Sequence, residues 1–159
     1  MARVFLGVGS NEGDRAATIS SGIQQLGRAP GIHIVQMAML YESEAVGGPP
    51  QGPYLNTVVE CQASLEPLPL LTLLKQIEVA HGRQPNAVRW SPRPLDLDIL
   101  FYDDRIMQTE RLTIPHPLLQ TRHFVLEPMV QLSPTFVHPL LQRSMADLLA
   151  ALRADAPAP

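Results

Sequence analysis

The sequence predicts an α+β fold whose elements run β-α-β-β-α-β, followed by a C-terminal extension. Three observations carry that expectation. Four stretches are rich in β-branched and apolar residues, two others place apolar residues at helical spacing, and glycine and proline punctuate the joins. At 159 residues the chain reads as a single domain, 1–159, large enough to bury a core without disulfides or a structural metal.

"RVFLGVGS" opens as a strand and ends in the turn-like "SNEGD", where Asp14 is placed to cap a helix running to about Arg28. Ile19, Ile23 and Leu26 share one face of that helix. "GIHIVQMAMLYES" reads as one strand over 31–43 and "YLNTVVECQAS" as another over 54–64, with the Gly/Pro-rich "AVGGPPQGP" between them. A second helix at about 67–82 carries Leu70, Leu73, Leu74, Ile77 and Ala80 as its core stripe and meets a stop at Gly82. "LDLDILFYD" is the fourth main strand. From about 105 the extension adds a short strand or two and helices near 122–131 and 144–153, and the tail at 154–159 is expected to fray. The order of the main elements is that of a ferredoxin-like sandwich, with helices laid on an antiparallel sheet.

The composition is that of an ordinary soluble domain, 45% hydrophobic and 17% charged. A net charge of −3 argues against nucleic-acid binding through overall charge. No apolar run approaches the roughly 18 residues of a membrane span, and the opening stretch is too short for a signal peptide. The single cysteine, Cys61, lies in a strand-like run and reads as a buried structural thiol. These features point to a reducing, cytoplasmic compartment. Prolines cluster at 46–53 and 85–94 and mark two constrained loops.

Chemistry concentrates in "RWSPRPLDLDILFYDD" at 89–104. In a strand, Asp96 and Asp98 share one face while Leu95, Leu97 and Ile99 share the other. Two like charges on one face repel unless something positive lies beside them. Lys75, Arg83, Arg89, Arg93, Arg105, Arg111 and Arg122 all fall between positions 75 and 122. Two carboxylates with open positions suit Mg²⁺, and neighbouring arginines supply bidentate donors for phosphates. Arg93, set between Pro92 and Pro94, has a stiffened backbone that suits an aimed side chain. Lys75 and Glu78 share a helix face as an i, i+3 pair, which a solvated ion pair also explains. The proline-stiffened "RLTIPHP" sets Arg111, Thr113 and His116 in a row. "GVGSNEGD" is a weak match to a phosphate-cradling loop and reads better as a tight strand-to-helix connection. Tyr54, Asn56, Trp90 and Phe124 are rings beside an amide, a set able to clamp a flat heterocycle.

"RWSPRPLDLDILFY" closely resembles the signature of the 6-hydroxymethyl-7,8-dihydropterin pyrophosphokinases of folate biosynthesis. The likeness extends through "LGVGSNEGD", "YESEAVGGPPQGPYLNTVVE", "IEVAHGR", "TERLTIPHP" and "RHFVLEPMVQLSP". It implies transfer of pyrophosphate from ATP, a co-substrate, to the hydroxymethyl group of the dihydropterin, with AMP leaving. It further implies that Asp96 and Asp98 hold two Mg²⁺ ions and that Arg83 and Arg93 act with them in catalysis. Lys75, Glu78, Ile99, Arg111, Thr113 and His116 would join Arg83 and Arg93 around ATP. Tyr54, Asn56, Phe124, Trp90 and groups around Ser43 and Val46 would hold the pterin. A cytoplasmic monomer acting on small molecules, without nucleic acid or membrane, is what the resemblance implies. Lys75, Pro85-Asn86 and Ser43-Glu44-Ala45 depart from the more usual residues at those positions. On the residues alone, a different Mg-dependent nucleotide transferase and a non-catalytic ferredoxin-like binding module stay open.

Overall fold

The computed structural model describes residues 1–44, 51–82 and 94–155, and the expected order of elements is present within them. β1 is Ala2–Ser10, α1 Arg15–Arg28, β2 Ile32–Met37, β3 Tyr41–Ser43 and β4 Tyr54–Ala63. α2 is Pro67–Ala80 and β5 Asp96–Tyr102, followed by the short β6 Met107–Gln108 and β7 Thr113–Ile114. A 3₁₀ turn at Leu119–Thr121 leads into α3, His123–Leu132, and α4, Met145–Ala154. The main sheet has the order β2-β4-β1-β5, with every neighbouring pair antiparallel. β4 is thus inserted between β1 and β2, which run the same way: the split β-α-β arrangement of the ferredoxin-like fold.

The helix ends follow their sequence signals. The Asp14 carboxylate accepts the Ala17 N–H at 3.2 Å, and Ile19 and Leu26 are buried. Pro67 begins α2 where a missing N–H is no loss. Gly82 follows α2 with φ +97°, the left-handed conformation glycine adopts without steric cost. One stripe position differs from expectation. Ala80 is exposed, whereas Leu71 and Glu78 are buried, because the last turn of α2 turns Glu78 toward the edge of β5.

The strand expected over 31–43 is two strands. Met37 pairs with Val59 and Tyr41 with Asn56, so four steps along one strand face three along the other. In the break, Ala38 N–H donates to Val58 O at 3.0 Å and Met39 N–H leaves the sheet for Gln131 Oε1 at 2.8 Å. Apolar composition alone carries no sign of the extra residue. The tail also holds longer than expected. α4 runs to Ala154 and Asp155 N–H still donates to Ala151 O at 3.1 Å; positions 156–159 lie outside the described residues.

The sheet is covered on both faces. Val4, Leu6, Val8, Val59, Cys61, Leu97 and Ile99 pack on one side beneath Ile19 and Leu26 of α1 and Leu70, Leu74 and Ile77 of α2. Phe5, Val58, Leu100 and Phe101 pack on the other beneath Leu126 and Met129 of α3 and Leu148 and Leu149 of α4. The extension therefore builds a second core. Glu60 also points toward this second face, where Arg3 Nε (3.1 Å) and Gln36 Nε2 (2.8 Å) meet its carboxylate.

Candidate active site

The second core covers only half of its face, and the other half is a cavity of about 240 Å³. Its floor is set by register. Gly9 of β1 faces Asn56 of β4 on one side and Asp96 of β5 on the other; Gly7 likewise lies between Val58 and Asp98. With strands about 4.8 Å apart, Asn56 and Asp96 stand roughly 10 Å from each other across a glycine. Two side chains are missing from the middle strand, and that absence opens the floor. Gly7 and Gly9 belong to β1, and the tight strand-to-helix connection expected in this stretch is confined to 11–14. Only Gly13, at φ +69°, serves the turn itself.

The alternation expected in β5 is borne out: Leu97 and Ile99 are buried beneath α1 and α2, while Asp96 and Asp98 line the cavity. Phe5 pairs with Phe101 but Leu6 with Ile99, so Leu100 is an extra residue in β5. This bulge turns both Leu100 and Phe101 toward the second core and ends the site at the cavity's inner wall.

Burial pushes the Asp98 carboxyl up to about 7, with the nearby Asp96 and Glu78 charges adding to it and Lys75 and Arg122 opposing. A buried carboxylate that resists ionisation beside a second carboxylate fits a cation site. Among the described residues no three His, Cys, Asp or Glu converge on one point, so the protein would give a metal here two carboxylates and leave positions for water and phosphate oxygens. That is the donor set Mg²⁺ accepts.

His116 lines the cavity beside the pair. Its N–H donates to Leu100 O at 3.0 Å, which straps the segment after β7 to β5. Burial, and secondarily the Arg122 charge, lower its imidazole to about 4 against a smaller opposing pull from Asp96. It is neutral near pH 7. Nδ1 accepts the Leu118 N–H at 3.3 Å, so the ring proton sits on Nε2.

Tyr54, Asn56, Ser43 and Phe124 line the same cavity, as the sequence led us to expect. Several other expected site residues stand apart from the lining of this cavity. The Ile99 side chain is 3% exposed in the opposite core, so only its main chain is left for a ligand. Glu78 is buried, and its Oε2 accepts the N–H of Leu97, the residue between the two aspartates, at 2.8 Å. Lys75 lies 3.5 Å from Glu78 Oε1, so this pair holds the edge of β5 and does not line the cavity. Arg111 is exposed and Thr113 sits in β7; neither lines the cavity. Val46, Arg83, Trp90 and Arg93 lie outside the described residues.

Four contributors were missed from sequence. Arg122, counted only as one of a basic series, lines the cavity with its guanidinium 5.6 Å from the Phe124 ring centre. Gln51 is another lining residue, and Asn11 Nδ2 donates to Gln51 Oε1 and to Gly52 O. Arg15 adds a bond to Pro53 O at 2.9 Å, so the turn after β1 anchors the far end of the Gly/Pro-rich loop. Only the arginine's place in "TRHF", two residues before Phe124, hints at this in sequence.

Residues 5–134 match the family model of 7,8-dihydro-6-hydroxymethylpterin-pyrophosphokinase. The chain belongs to this pyrophosphokinase family. It is 37% identical over 147 residues to the 2-amino-4-hydroxy-6-hydroxymethyldihydropteridine pyrophosphokinase of Aquifex aeolicus, a match covering 92% of this chain and 90% of the relative. The Synechocystis enzyme of the same name is 39% identical over 91% of this chain and 73% of its own. A crystal structure of Plasmodium falciparum HPPK-DHPS with pteroate matches with a TM-score of 0.73 at 15% identity, over 94% of this chain and 42% of that one. The chain spans less than half of that longer protein, and the likeness supports the α+β fold. No described helix is long and apolar enough to cross a membrane.

Proposed function

We propose that the cavity over Gly7 and Gly9 is where this pyrophosphokinase transfers pyrophosphate from ATP to the hydroxymethyl group of 6-hydroxymethyl-7,8-dihydropterin, in folate biosynthesis. The observation that carries the assignment to this place is the row Asn56–Gly9–Asp96: an amide for a heterocycle edge, a bare strand beneath, and a carboxylate for a metal-bound phosphate. The pterin lies between Tyr54 and Phe124, with Asn56 at its edge and its hydroxymethyl group toward the aspartates. Mg²⁺ bound by Asp96 and Asp98, two ions in this reading, would neutralise the phosphate oxygens and raise the electrophilicity of phosphorus.

The pterin hydroxyl oxygen attacks the β-phosphorus in line. The bond from that phosphorus to the α–β bridging oxygen breaks, AMP leaves with the bridging oxygen, and the hydroxyl proton is lost. The chain's own part is positioning and charge. Arg122 supplies a cation at the cavity wall, and neutral His116 offers its Nε2–H without adding charge. Arg83 and Arg93 are assigned to the phosphates and Trp90 to closure, by resemblance. The reading includes a single-domain, cytoplasmic monomer.

Incubating the protein with ATP, Mg²⁺ and hydroxymethyl-dihydropterin should yield AMP and pyrophosphorylated pterin in equal amounts. ADP in place of AMP, or AMP formed equally well without pterin, would favour a different Mg-dependent nucleotide transferase.

A further inference from the structure

Asn56 is 7% exposed, and its amino group is held from two sides. Nδ2 donates to the Tyr41 carbonyl at 3.1 Å and to Ser43 Oγ at 2.8 Å. A main-chain carbonyl can only accept, so the amino group has to face Tyr41 and the amide has one orientation. With both N–H groups engaged, Oδ1 turns to the cavity, 3.2 Å from where a Cβ on Gly9 would sit. No fully enclosed side-chain nitrogen or oxygen among the described residues lacks a partner, so this oxygen is one a ligand can reach. The bulge after β2 aims the lock: it brings β3 back onto β4 with Tyr41 directly opposite Asn56.

We propose that the Ser43 hydroxyl is a specificity-determining positioning residue, which with the Tyr41 carbonyl fixes Asn56 Oδ1 as an acceptor over Gly9. The cavity then selects a flat heterocycle that brings an N–H donor, an exocyclic amino or ring lactam group, to that point. The inference rests on the pterin reading of the cavity and adds how the pterin is told from look-alikes. An acceptor of fixed direction penalises a ligand that presents a lone pair or a C–H there, because the buried oxygen would be left without a donor.

The test uses calorimetry with 6-hydroxymethylpterin and its 2-desamino counterpart, on the full chain with Mg²⁺ and a non-hydrolysable ATP analogue, beside steady-state kinetics. The parent should prefer the amino compound by about tenfold or more. Ser43→Ala should lose most of that preference and raise KM for the pterin, with kcat and the affinity for the ATP analogue little changed. Ser43→Thr, which keeps the hydroxyl, should restore both. Gly9→Ala, which crowds Oδ1 without touching Ser43, should also weaken the amino compound selectively, and serves if Ser43→Ala folds poorly. A parent that binds neither pterin would sink the pterin reading itself. A parent that discriminates, with Ser43→Ala discriminating equally well or Ser43→Thr failing to rescue, would overturn the Ser43 lock and leave that reading standing.

Discussion

The two faces of one sheet are built to opposite ends. Beneath α1 and α2, β1 offers Val4, Leu6 and Val8, β4 offers Val59 and Cys61, and β5 offers Leu97 and Ile99; every one is buried. On the reverse, the same strands offer Gly7, Gly9, Asn56, Asp96 and Asp98 around a cavity, and only Phe5, Val58, Leu100 and Phe101 reach the second core. The first face keeps the chain folded. The second gives up apolar burial over half its width to hold polar groups at fixed spacing, and rigid strands set that spacing better than loops would. Stability and chemistry can therefore be altered separately by choosing which side of a single strand to change.

The largest effects should come from neighbours on β5. Asp96→Asn and Asp98→Asn are each expected to lose activity by orders of magnitude and, without metal, to melt no lower than the parent, since each relieves a like-charge contact. Added Mg-nucleotide should stabilise the parent far more than either variant, because a ligand raises stability only through the state it binds. Leu97→Ala, one residue away on the opposite face, should cost about 2–5 kcal/mol of stability while the folded fraction keeps its turnover number. Denaturant melts and active-site-normalised rates separate the two; aspartate variants that retain activity would reduce the pair to an acidic strand face.

Two glycines extend the comparison at smaller scale. A Cβ on Gly22 of α1 would lie 2.7 Å from Leu95 Cδ2, inside the first core. Gly22→Ala should gain helix propensity yet lose about 1 kcal/mol or more net through overpacking. Gly9→Ala meets Asn56 Oδ1 at 3.2 Å in an open cavity. Its melting temperature should hold or rise slightly while pterin affinity falls. The opposite assignment, with Gly9→Ala the less stable and Gly22→Ala the weaker binder, would show that the division by faces is wrong.

Acidity offers a third handle. The Asp98 carboxyl is raised from 3.8 to about 7, so the folded metal-free chain binds that proton more tightly than the unfolded chain does. Its contribution to stability is present below pH 3.8 and is lost as pH rises through 7. Asparagine at 98 does not titrate. The melting temperature of metal-free Asp98→Asn minus that of the parent should therefore be smallest near pH 4 and grow toward pH 8. His116, lowered to about 4, and His138, lowered by burial, act the other way: their contributions are complete above 6.5 and fade as pH falls. They are present in both proteins and cancel in the difference. A difference that does not change with pH would mean the carboxyl titrates as it does in water.

How much of this was legible follows from what leaves a periodic trace. The core face of β5, the cap at Asp14 and the stop at Gly82 were readable because alternation, a capping carboxylate and a lone glycine are local signals. Asp96 and Asp98 were readable because carboxylates break that alternation. The bulge at Leu100 and the break at 38–40 were not, since an extra residue in an apolar run changes direction without changing composition. Gly7 and Gly9 were legible as strand residues but not as the cavity floor: that purpose depends on Asn56 and Asp96 lying opposite, which is a matter of register across three strands. Arg122 acts on Asp98, and His116 on Asp96, because the chain returns along the free edge of β5; His116 was legible through its motif, whereas Arg122 was seen only as one of a basic series.

The smallest expected effect decides where Lys75 and Glu78 belong. They were read as lining the nucleotide site, with a solvated ion pair as the plainer account. The structure has Lys75 about half exposed and Glu78 buried with Oε2 on the Leu97 N–H. If the pair holds the sheet edge, the two members are unequal. Glu78→Ala leaves a buried strand N–H without its acceptor and should cost about 1–3 kcal/mol. Lys75→Gln removes only a half-exposed partner of that carboxylate, which in water-screened surroundings is worth no more than about 0.5 kcal/mol. Asp98 should register it as well, because Lys75 is one of the two cations that oppose the rise of its carboxyl. Lys75→Gln should therefore leave stability nearly as it was and move the Asp98 titration slightly upward, readable by carboxyl-carbon NMR. A loss matching that of Glu78→Ala would instead make the ion pair itself the edge clamp, and an unmoved Asp98 titration would remove Lys75 from the electrostatics of the site.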